Sequence, residues 1–188
     1  MVFLAMLRHG DTAWSAEGRI QGRSDTALTD EARARLRRFR LPPRCAGMRV
    51  VTSPLGRCVE TAALLGAPQA EREARIAEMS WGDWEGRRLA ELRAELGTKM
   101  SENEARGWDF RPSGGETPRE VLDRVRSWLA ELTVPTLAVT HRGVIRAVYA
   151  AAAGWDLRGK PPTKLAWDAV HLFRIDAGAP AVEALNLR

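Results

Sequence analysis

The sequence predicts an α/β layered fold in which a mainly parallel central sheet is flanked by helices. Short apolar runs of strand length alternate with segments whose apolar residues recur at helical spacing. Several of these runs are followed at once by residues that can start a helix, which is the order expected of strand–helix–strand units. With 188 residues and 45% hydrophobic content, we expect a single domain covering residues 1–188.

The first strand and the first long helix follow from the opening of the chain. Val2–Leu7 is an apolar run of strand length, and we expect it to be buried. Thr29 can cap a helix whose apolar face carries Ala32, Leu36 and Phe39.

A second strand is predicted at Met48–Thr52, with Ser53 and Pro54 directly after it. A hydroxyl followed by a proline is typical of a helix start, because the hydroxyl caps and the proline has no amide to satisfy. We therefore expect a helix with Pro54 as its first residue that runs to about Leu65.

The second half of the chain continues the alternation. Its clearest helix begins after Thr117, because Thr117 and Glu120 can form a capping box. In order, the predicted elements are a helix from Gly86 to about Gly97, the helix after Thr117, a buried strand Thr136–Thr140, an apolar helix Val144–Ala153 and two closing strands Val170–Ile175 and Ala181–Leu187.

The composition excludes several classes of protein. No apolar run approaches the roughly 20 residues of a membrane helix, so we expect no membrane partner. The apolar N-terminus has no basic segment before it and no small-residue cleavage site, so we expect a cytoplasmic protein and not a secreted one. Cys45 and Cys58 match no zinc or redox spacing and are expected to be reduced thiols.

The charge balance points to an anionic partner. The net charge is +5, and because only Lys99, Lys160 and Lys164 are lysines, arginine supplies the other 26 basic residues. A nucleic acid and a small anionic substrate both fit this excess. A cluster in and after the first long helix suggests the nucleic acid: Arg33, Arg35, Arg37, Arg38, Arg40 and Arg44. Phe39, the aromatic residue among them, belongs to the predicted buried face, so it offers no stacking partner. A solvated helix face is therefore the preferred interpretation, and we expect no nucleic-acid partner.

Two of the three histidines follow predicted strands. His9 comes just after the first strand, and His141 comes just after Thr136–Thr140. Parallel strands place their carboxyl ends at one edge of the sheet, so the two imidazoles are expected to meet there. Each has an arginine beside it, Arg8 or Arg142, and a nearby glycine that allows a ligand to approach the backbone.

A third junction between a strand and a helix adds Arg57. It lies in the first turn after Ser53 and Pro54, where its side chain can reach the same edge of the sheet. Guanidinium groups bind phosphate oxygens bidentately, so Arg8 and Arg57 beside two histidines predict a phosphate clamp. The chain has no metalloprotease, paired-aspartate or phosphate-loop motif. We therefore expect phosphoryl transfer through histidine, with no metal and no cofactor.

Five ordered motifs resemble those of the histidine phosphatase superfamily, the phosphoglycerate-mutase-like proteins. They cover about Val2 to Ala153 and run Arg8-His9-Gly10-Asp11-Thr12, Ser53-Pro54-Leu55-Gly56-Arg57, Glu78 to Gly86, Gly114-Gly115-Glu116-Thr117 and Thr140-His141-Arg142-Gly143. The sequence most resembles the small phosphatase branch of this superfamily, which includes alpha-ribazole phosphatases and broad-specificity phosphatases. The resemblance implies a three-layer sandwich and a phosphoric monoester hydrolase.

The resemblance also implies catalytic roles. His9 would be the nucleophile that forms a phosphohistidine, with Arg8, Arg57 and His141 holding the non-bridging oxygens, and Glu78 the proton donor. Spacing alone leaves Asp83 and Glu85 open as donors; the family pattern selects Glu78. A donor needs a raised pKa, which burial near Trp81 and Trp84 would supply.

Further substrate contacts follow from the same comparison. The family often has Asn where this chain has Ser15, and Gln21 and Gly22 match a loop that borders the pocket in relatives. We expect these residues to bind the substrate together with Arg8, Arg57, His141 and Arg142.

The segment between the acid motif and Gly114 is expected to form a short cap at about residues 87–113. A short cap favours attack of water on the phosphohistidine, so we expect hydrolysis of a small phosphorylated substrate and keep mutase-type transfer as the alternative. Basic cap residues could select a second anionic group on the substrate: Arg87, Arg88, Arg93, Lys99, Arg106 and Arg111. The sequence leaves a homodimer open.

Overall fold

The structure is a computed structural model that describes residues 1–188. Six strands form one sheet: β1 Val2–Arg8, β2 Arg49–Thr52, β3 Glu71–Arg72, β4 Thr136–Thr140, β5 Val170–Asp176 and β6 Ala179–Leu187. Seven α-helices surround it: α1 Ala13–Ala16, α2 Asp30–Arg38, α3 Gly56–Leu64, α4 Leu89–Leu96, α5 Thr98–Glu104, α6 Pro118–Glu131 and α7 Arg142–Ala153.

The strand order is β3-β2-β4-β1-β5-β6. The four strands from β3 to β1 are parallel, whereas β5 and β6 form an antiparallel hairpin beside β1. The two closing strands join through a tight turn and therefore must run antiparallel, while the other strands are joined by helical crossovers. The carboxyl ends of β1, β2 and β4 thus lie at one edge, as expected.

The two faces of β1 and β4 are buried by different helices. Leu4 and Met6 of β1 join the main core with Val121, Val125 and other residues of α6 and α7. The alternate residues Ala5 and Leu7 belong to a smaller cluster on the opposite face. On that side α3 packs on β4 through Cys58, Ala62 and Val139. The sheet therefore lies between two helical layers, which confirms the predicted three-layer α/β sandwich.

Most predicted elements are present with bounds shifted by one or two residues. Thr29 caps α2 by accepting a hydrogen bond from the Ala32 amide at 3.1 Å. The Thr117 capping box at the start of α6 is also present. Phe39 differs from the prediction, because it ends α2 and packs half-buried with a different cluster from Ala32 and Leu36.

The predicted start of α3 is wrong. The helix begins at Gly56, not Pro54, and the Ser53 hydroxyl lies 2.7 Å from His141 Nε2 instead of capping it. The free amides of the first turn are satisfied by Asp25, whose carboxylate accepts hydrogen bonds from Gly56 N and Arg57 N. A remote carboxylate thus replaces the local cap, and its charge suits the positive end of the helix.

The residues predicted as a cap contain two short helices. The helix expected from Gly86 begins only at Leu89, because Gly86 has a left-handed φ of +80° and the Arg87 carbonyl accepts a hydrogen bond from Ile20 N at 2.9 Å. Leu92 and Met100, from α4 and α5, are buried against Trp84. No helix of the chain is both long enough and apolar enough to span a bilayer.

Candidate active site

His9 lies just beyond β1 and is 5% exposed. Its Nδ1 is 2.7 Å from the carbonyl oxygen of Gly10, and its Nε2 is 3.2 Å from Arg57 Nε. A carbonyl only accepts and a guanidinium only donates, so the proton is on Nδ1 and Nε2 carries the lone pair. Burial, followed by the charges of Arg8 and Arg57, lowers the pKa of His9 well below its usual value. The ring is therefore neutral at physiological pH.

Arg57, in the first turn of α3, is a fully buried cation at 1% exposure. Its Nη2 donates to Gly22 O at 2.7 Å and its Nη1 donates to Ser24 O at 2.8 Å. Asp25 neutralises it through an Oδ1–Nη1 contact of 3.1 Å. A buried charge needs such partners, and they orient the guanidinium so that its Nε edge faces His9.

His141 follows β4, caps α7 and is fully buried. Its ring centre is 5.2 Å from that of His9, so the structure brings the two strand-end histidines together. Ser53 Oγ and Cys58 Sγ lie 2.7 and 3.4 Å from its Nε2. Burial first, then the nearby His9 and Arg57, lowers the pKa of His141 well below its usual value.

Glu78 reaches the same edge from the other side. Its Oε1 accepts hydrogen bonds from the amides of Met79 at 2.9 Å and Gly143 at 3.0 Å. A Cβ at Gly143 would collide with Oε1, so only glycine permits this approach. Burial raises the pKa of Glu78, and the backbone hydrogen bonds and nearby arginines offset this only in part.

The two alternative acids have other partners. Asp83 is exposed and accepts a hydrogen bond from Ser113 Oγ at 2.6 Å. Glu85 accepts from the amides of Arg23 at 2.8 Å and Ser24 at 2.7 Å, and from the Ser24 hydroxyl at 2.6 Å. Burial works to raise the pKa of Glu85, but the hydrogen bonds from Ser24, Arg23 and Trp81 outweigh it and hold the pKa below its usual value.

Glu85 supports the loop that holds Arg57. Gly22, at φ +56°, has its α-carbon so close to Glu85 that a Cβ would collide with the carboxylate. Gly22 and Ser24 are the residues before and after Arg23. Their carbonyl oxygens accept the hydrogen bonds of the Arg57 guanidinium. Glu85 therefore acts on Arg57 through the loop.

Other predicted substrate contacts have local partners in the structure. The Ser15 hydroxyl accepts from Thr12 N at 2.9 Å as part of the α1 capping box. The Gln21 amide bridges the hydroxyls of Thr12 and Thr26 at 2.9 and 2.7 Å. Both side chains brace the loop after β1, and their contact with a substrate stays a prediction.

The two outer arginines flank the histidines differently. Arg8 pairs with Asp11 at 3.2 Å, and its side chain is 16% exposed. Arg142 is exposed and forms no ion pair; its guanidinium lies 4.9 Å from the centre of the Trp167 ring.

Trp81 and Trp84 belong to the same segment as Glu78, and their part in burying its carboxyl stays a prediction. Their rings pack on Phe110, with centres 5.7 and 5.9 Å away, so they join the acid segment to the cap. The backbone amides of Met79 and Gly143 contact the Glu78 carboxylate directly.

The arginines of α2 and its surroundings are partly paired with carboxylates. Arg33 pairs with Glu60 at 2.6 Å and Arg44 with Glu183 at 2.7 Å. The pairing reduces the positive field of this face. No group of three or more histidine, cysteine, aspartate or glutamate side chains is arranged to hold a metal ion.

The sequence did not indicate Asp25, and it indicated Glu85 only as a rival proton donor, not as a support of Arg57. Asp25 contacts Arg57 across 32 positions, and Glu85 contacts Ser24 across 61. Glu85 stands inside the acid motif, so its position was a signal although the role expected from it was a different one. Asp25 belongs to no motif, and only the folded loop shows its use.

Comparison with known proteins agrees with this geometry. The family model of the histidine phosphatase superfamily (branch 1) matches residues 4–188. The glucosyl-3-phosphoglycerate phosphatase of Mycolicibacterium vanbaalenii is 31% identical over 84% of this chain and 77% of its own. The 2,3-bisphosphoglycerate-dependent phosphoglycerate mutase 2 of Gloeobacter violaceus is 30% identical over 79% of this chain and 74% of its own.

A solved structure gives the same result at the level of the fold. The mycobacterial glucosyl-3-phosphoglycerate phosphatase in complex with VO3 superposes with a TM-score of 0.79 and 26% identity, covering 99% of both chains. This similarity and the family match over nearly the whole sequence show that the chain belongs to branch 1 of the histidine phosphatase superfamily and is a phosphoric monoester hydrolase.

Proposed function

We propose that this protein hydrolyses a small phosphorylated metabolite through a phosphohistidine on His9, without a metal ion. The observation that carries the proposal is the lone pair on His9 Nε2, which lies beside the buried Arg57 guanidinium at 3.2 Å. A neutral imidazole with its proton held on Nδ1 is a nucleophile at physiological pH.

The reaction proceeds in two displacements at phosphorus. In the first, Nε2 of His9 forms a bond to phosphorus and the ester oxygen departs, taking the proton of Glu78. Arg8, Arg57 and His141 bind the equatorial oxygens and neutralise the charge that spreads over them. In the second, water attacks the phosphohistidine and gives a proton back to Glu78, which releases phosphate and restores His9.

The hydrogen bonds of Glu78 support its role as proton donor. Oε1 already accepts two amide hydrogen bonds, whereas Oε2 has only a 3.2 Å contact with Gly143 N. The proton is therefore carried by Oε2. The raised pKa of Glu78 keeps this proton available at a higher pH than for an exposed glutamate.

Hydrolysis is favoured over mutase-type transfer by the small cap. Only residues 87–113 separate the acid segment from the turn before α6, and they form two helices of eight and seven residues. Such a cap leaves a path for water to the phosphohistidine. The Gloeobacter relative keeps transfer as the second candidate, and faster isomerisation of 3-phosphoglycerate than hydrolysis of simple esters would favour it.

The test is hydrolysis of 4-nitrophenyl phosphate in the presence of a chelator, with wild type and His9→Ala compared. We expect activity in wild type, a loss of about 10⁴-fold or more in the variant, and an acid-labile phosphoenzyme after rapid quenching of wild type only. Vanadate should compete with substrate, as the VO3 complex of the mycobacterial relative suggests. Full activity in His9→Ala, or an absolute need for metal, would contradict the mechanism.

Several expectations accompany this proposal. Ser15, Gln21, Gly22 and Arg142 are proposed to border the substrate. A cytoplasmic location, the absence of a nucleic-acid partner and the option of a homodimer stay predictions.

A further inference from the structure

The basic residues of the cap are mostly neutralised by carboxylates. Arg93 pairs with Glu104 at 2.7 Å and Arg111 with Glu120 at 2.6 Å. Arg87 pairs with Glu95, and Arg88 lies 3.8 Å from Glu91. A paired guanidinium attracts a further anion only weakly, so these four residues are poor candidates for selecting a charged substrate.

Arg142 and Arg146 on α7 are held differently. Neither forms an ion pair; the guanidinium of Arg142 lies 4.9 Å from the ring centre of Trp167, and that of Arg146 lies 5.3 Å from the ring centre of Trp155. They are one turn apart on the same helix face, where like charges repel. The fold therefore maintains two unpaired cations side by side, in a chain that pairs most of its arginines.

Arg142 is the nearer of the two to the reacting groups. It is the first residue of α7, between His141 and the Gly143 amide that binds Glu78. Arg146 lies about 6 Å further along the helix axis, away from the site.

We propose that Arg142 binds a second anionic group, a carboxylate, on the organic part of the phosphate ester. The inference rests on the proposed function, because it assumes that the phosphoryl group is bound at His9. Trp167 supports the guanidinium from one face by a cation–π contact, which leaves the N–H edges free to donate to a carboxylate. The substrate class is then a phosphomonoester of a small carboxylic acid.

The cap offers one rival for this role. Lys99 and Arg106 form no ion pair and line an open cavity of about 410 Å³ together with Glu102. Because Arg106 is also an unpaired arginine, Arg106→Gln is a matched control for Arg142→Gln.

The experiment compares two pairs of aryl phosphates, 3- and 4-carboxyphenyl phosphate and the corresponding carboxamides. Each pair has the same shape and differs in one negative charge. We expect wild type to prefer at least one acid over its amide by about tenfold in kcat/KM, and the preference to weaken with salt. Arg142→Gln should remove the preference, and Arg106→Gln should retain it.

Binding separates this inference from the proposed function. Thermal shifts of His9→Ala and of His9→Ala/Arg142→Gln with the same compounds show the preference without turnover. No hydrolysis by wild type with a retained binding preference would overturn the proposed function and support Arg142. Equal treatment of acid and amide by wild type, or a preference lost in Arg106→Gln and kept in Arg142→Gln, would overturn the assignment of Arg142.

Discussion

Arginine side chains are held differently in two regions of the molecule. One is the site floor, which we define as His9, Arg57, Glu78 and His141, and the other is the cap at residues 87–113. Arg57 is 1% exposed, and the carbonyls of Gly22 and Ser24 together with Asp25 hold the Nη groups of its guanidinium, so that its Nε edge faces His9. Arg93 in the cap pairs with Glu104, but the two side chains are 56% and 36% exposed. Burial therefore fixes the position of the arginine in the floor, whereas the arginines of the cap form exposed ion pairs that water and salt can weaken.

The difference has an energetic consequence. Removing one partner of a buried charge leaves the other without compensation and costs about 3–5 kcal/mol. An exposed pair contributes about 0–1 kcal/mol. Substitutions in the floor should therefore change the chemistry strongly, and those in the cap should change it little.

Among variants that keep His9, the largest effect is expected for Glu78→Gln with a poor leaving group. An alkyl phosphate needs its departing oxygen protonated, so kcat should fall by about 10²–10⁴-fold. 4-Nitrophenyl phosphate has a stable leaving group and should be affected far less. An equal loss on both substrates would show that Glu78 supports the structure and does not donate the proton.

The pH profile sharpens the same contrast. With the pKa of Glu78 raised, the protonated acid persists above its usual range, and kcat for an alkyl phosphate should fall as pH rises through that pKa. With the pKa of His9 lowered, the nucleophile stays neutral as pH falls through 6.5. For an alkyl phosphate, kcat should therefore be highest at pH values below the pKa of Glu78. A comparison with Glu78→Gln removes the ionisation of the substrate itself, and the alkaline decline should disappear in the variant.

An intermediate effect is expected where the floor is supported from outside. In Glu85→Gln a donor replaces one acceptor opposite the amides of Arg23 and Ser24, so the loop shifts and carries Arg57 with it. We expect kcat to fall by about tenfold or more, and vanadate affinity to fall in parallel. Asp83→Asn is the matched control from the same motif, and it should stay within about twofold of wild type. Similar behaviour of the two variants would contradict the role of the loop.

The smallest effect is expected in the cap. Arg93→Gln removes the exposed pair with Glu104, and the free energy of unfolding should change by about 0–1 kcal/mol in urea melts. Activity on 4-nitrophenyl phosphate should be unchanged within about twofold. A large loss of activity would show that the cap charges act on the site, which would remove the distinction between the two regions.

The sequence was sufficient for the parts of the site that a strand end determines. His9 and His141 could be placed together because parallel strands share an edge, and Arg57 because it follows the next strand. The support of Arg57 could not be predicted, since Asp25 and Glu85 reach it from loops whose approach depends on the complete fold. That Arg142 forms no ion pair could not be predicted either, because the pairing of a surface arginine depends on which carboxylates surround it in the fold.

The position of β1 in the sheet has a consequence for how the enzyme matures. Leu4 pairs with Thr136 on one side and with Phe173 on the other, so β1 is synthesised well before both of the strands that pair with it. Until they arrive, its apolar residues and both hydrogen-bonding edges lie open, which makes the nascent chain slow to fold and prone to association. His9 directly follows that strand, so we expect phosphatase activity only after β4 and the β5–β6 hairpin have paired with β1.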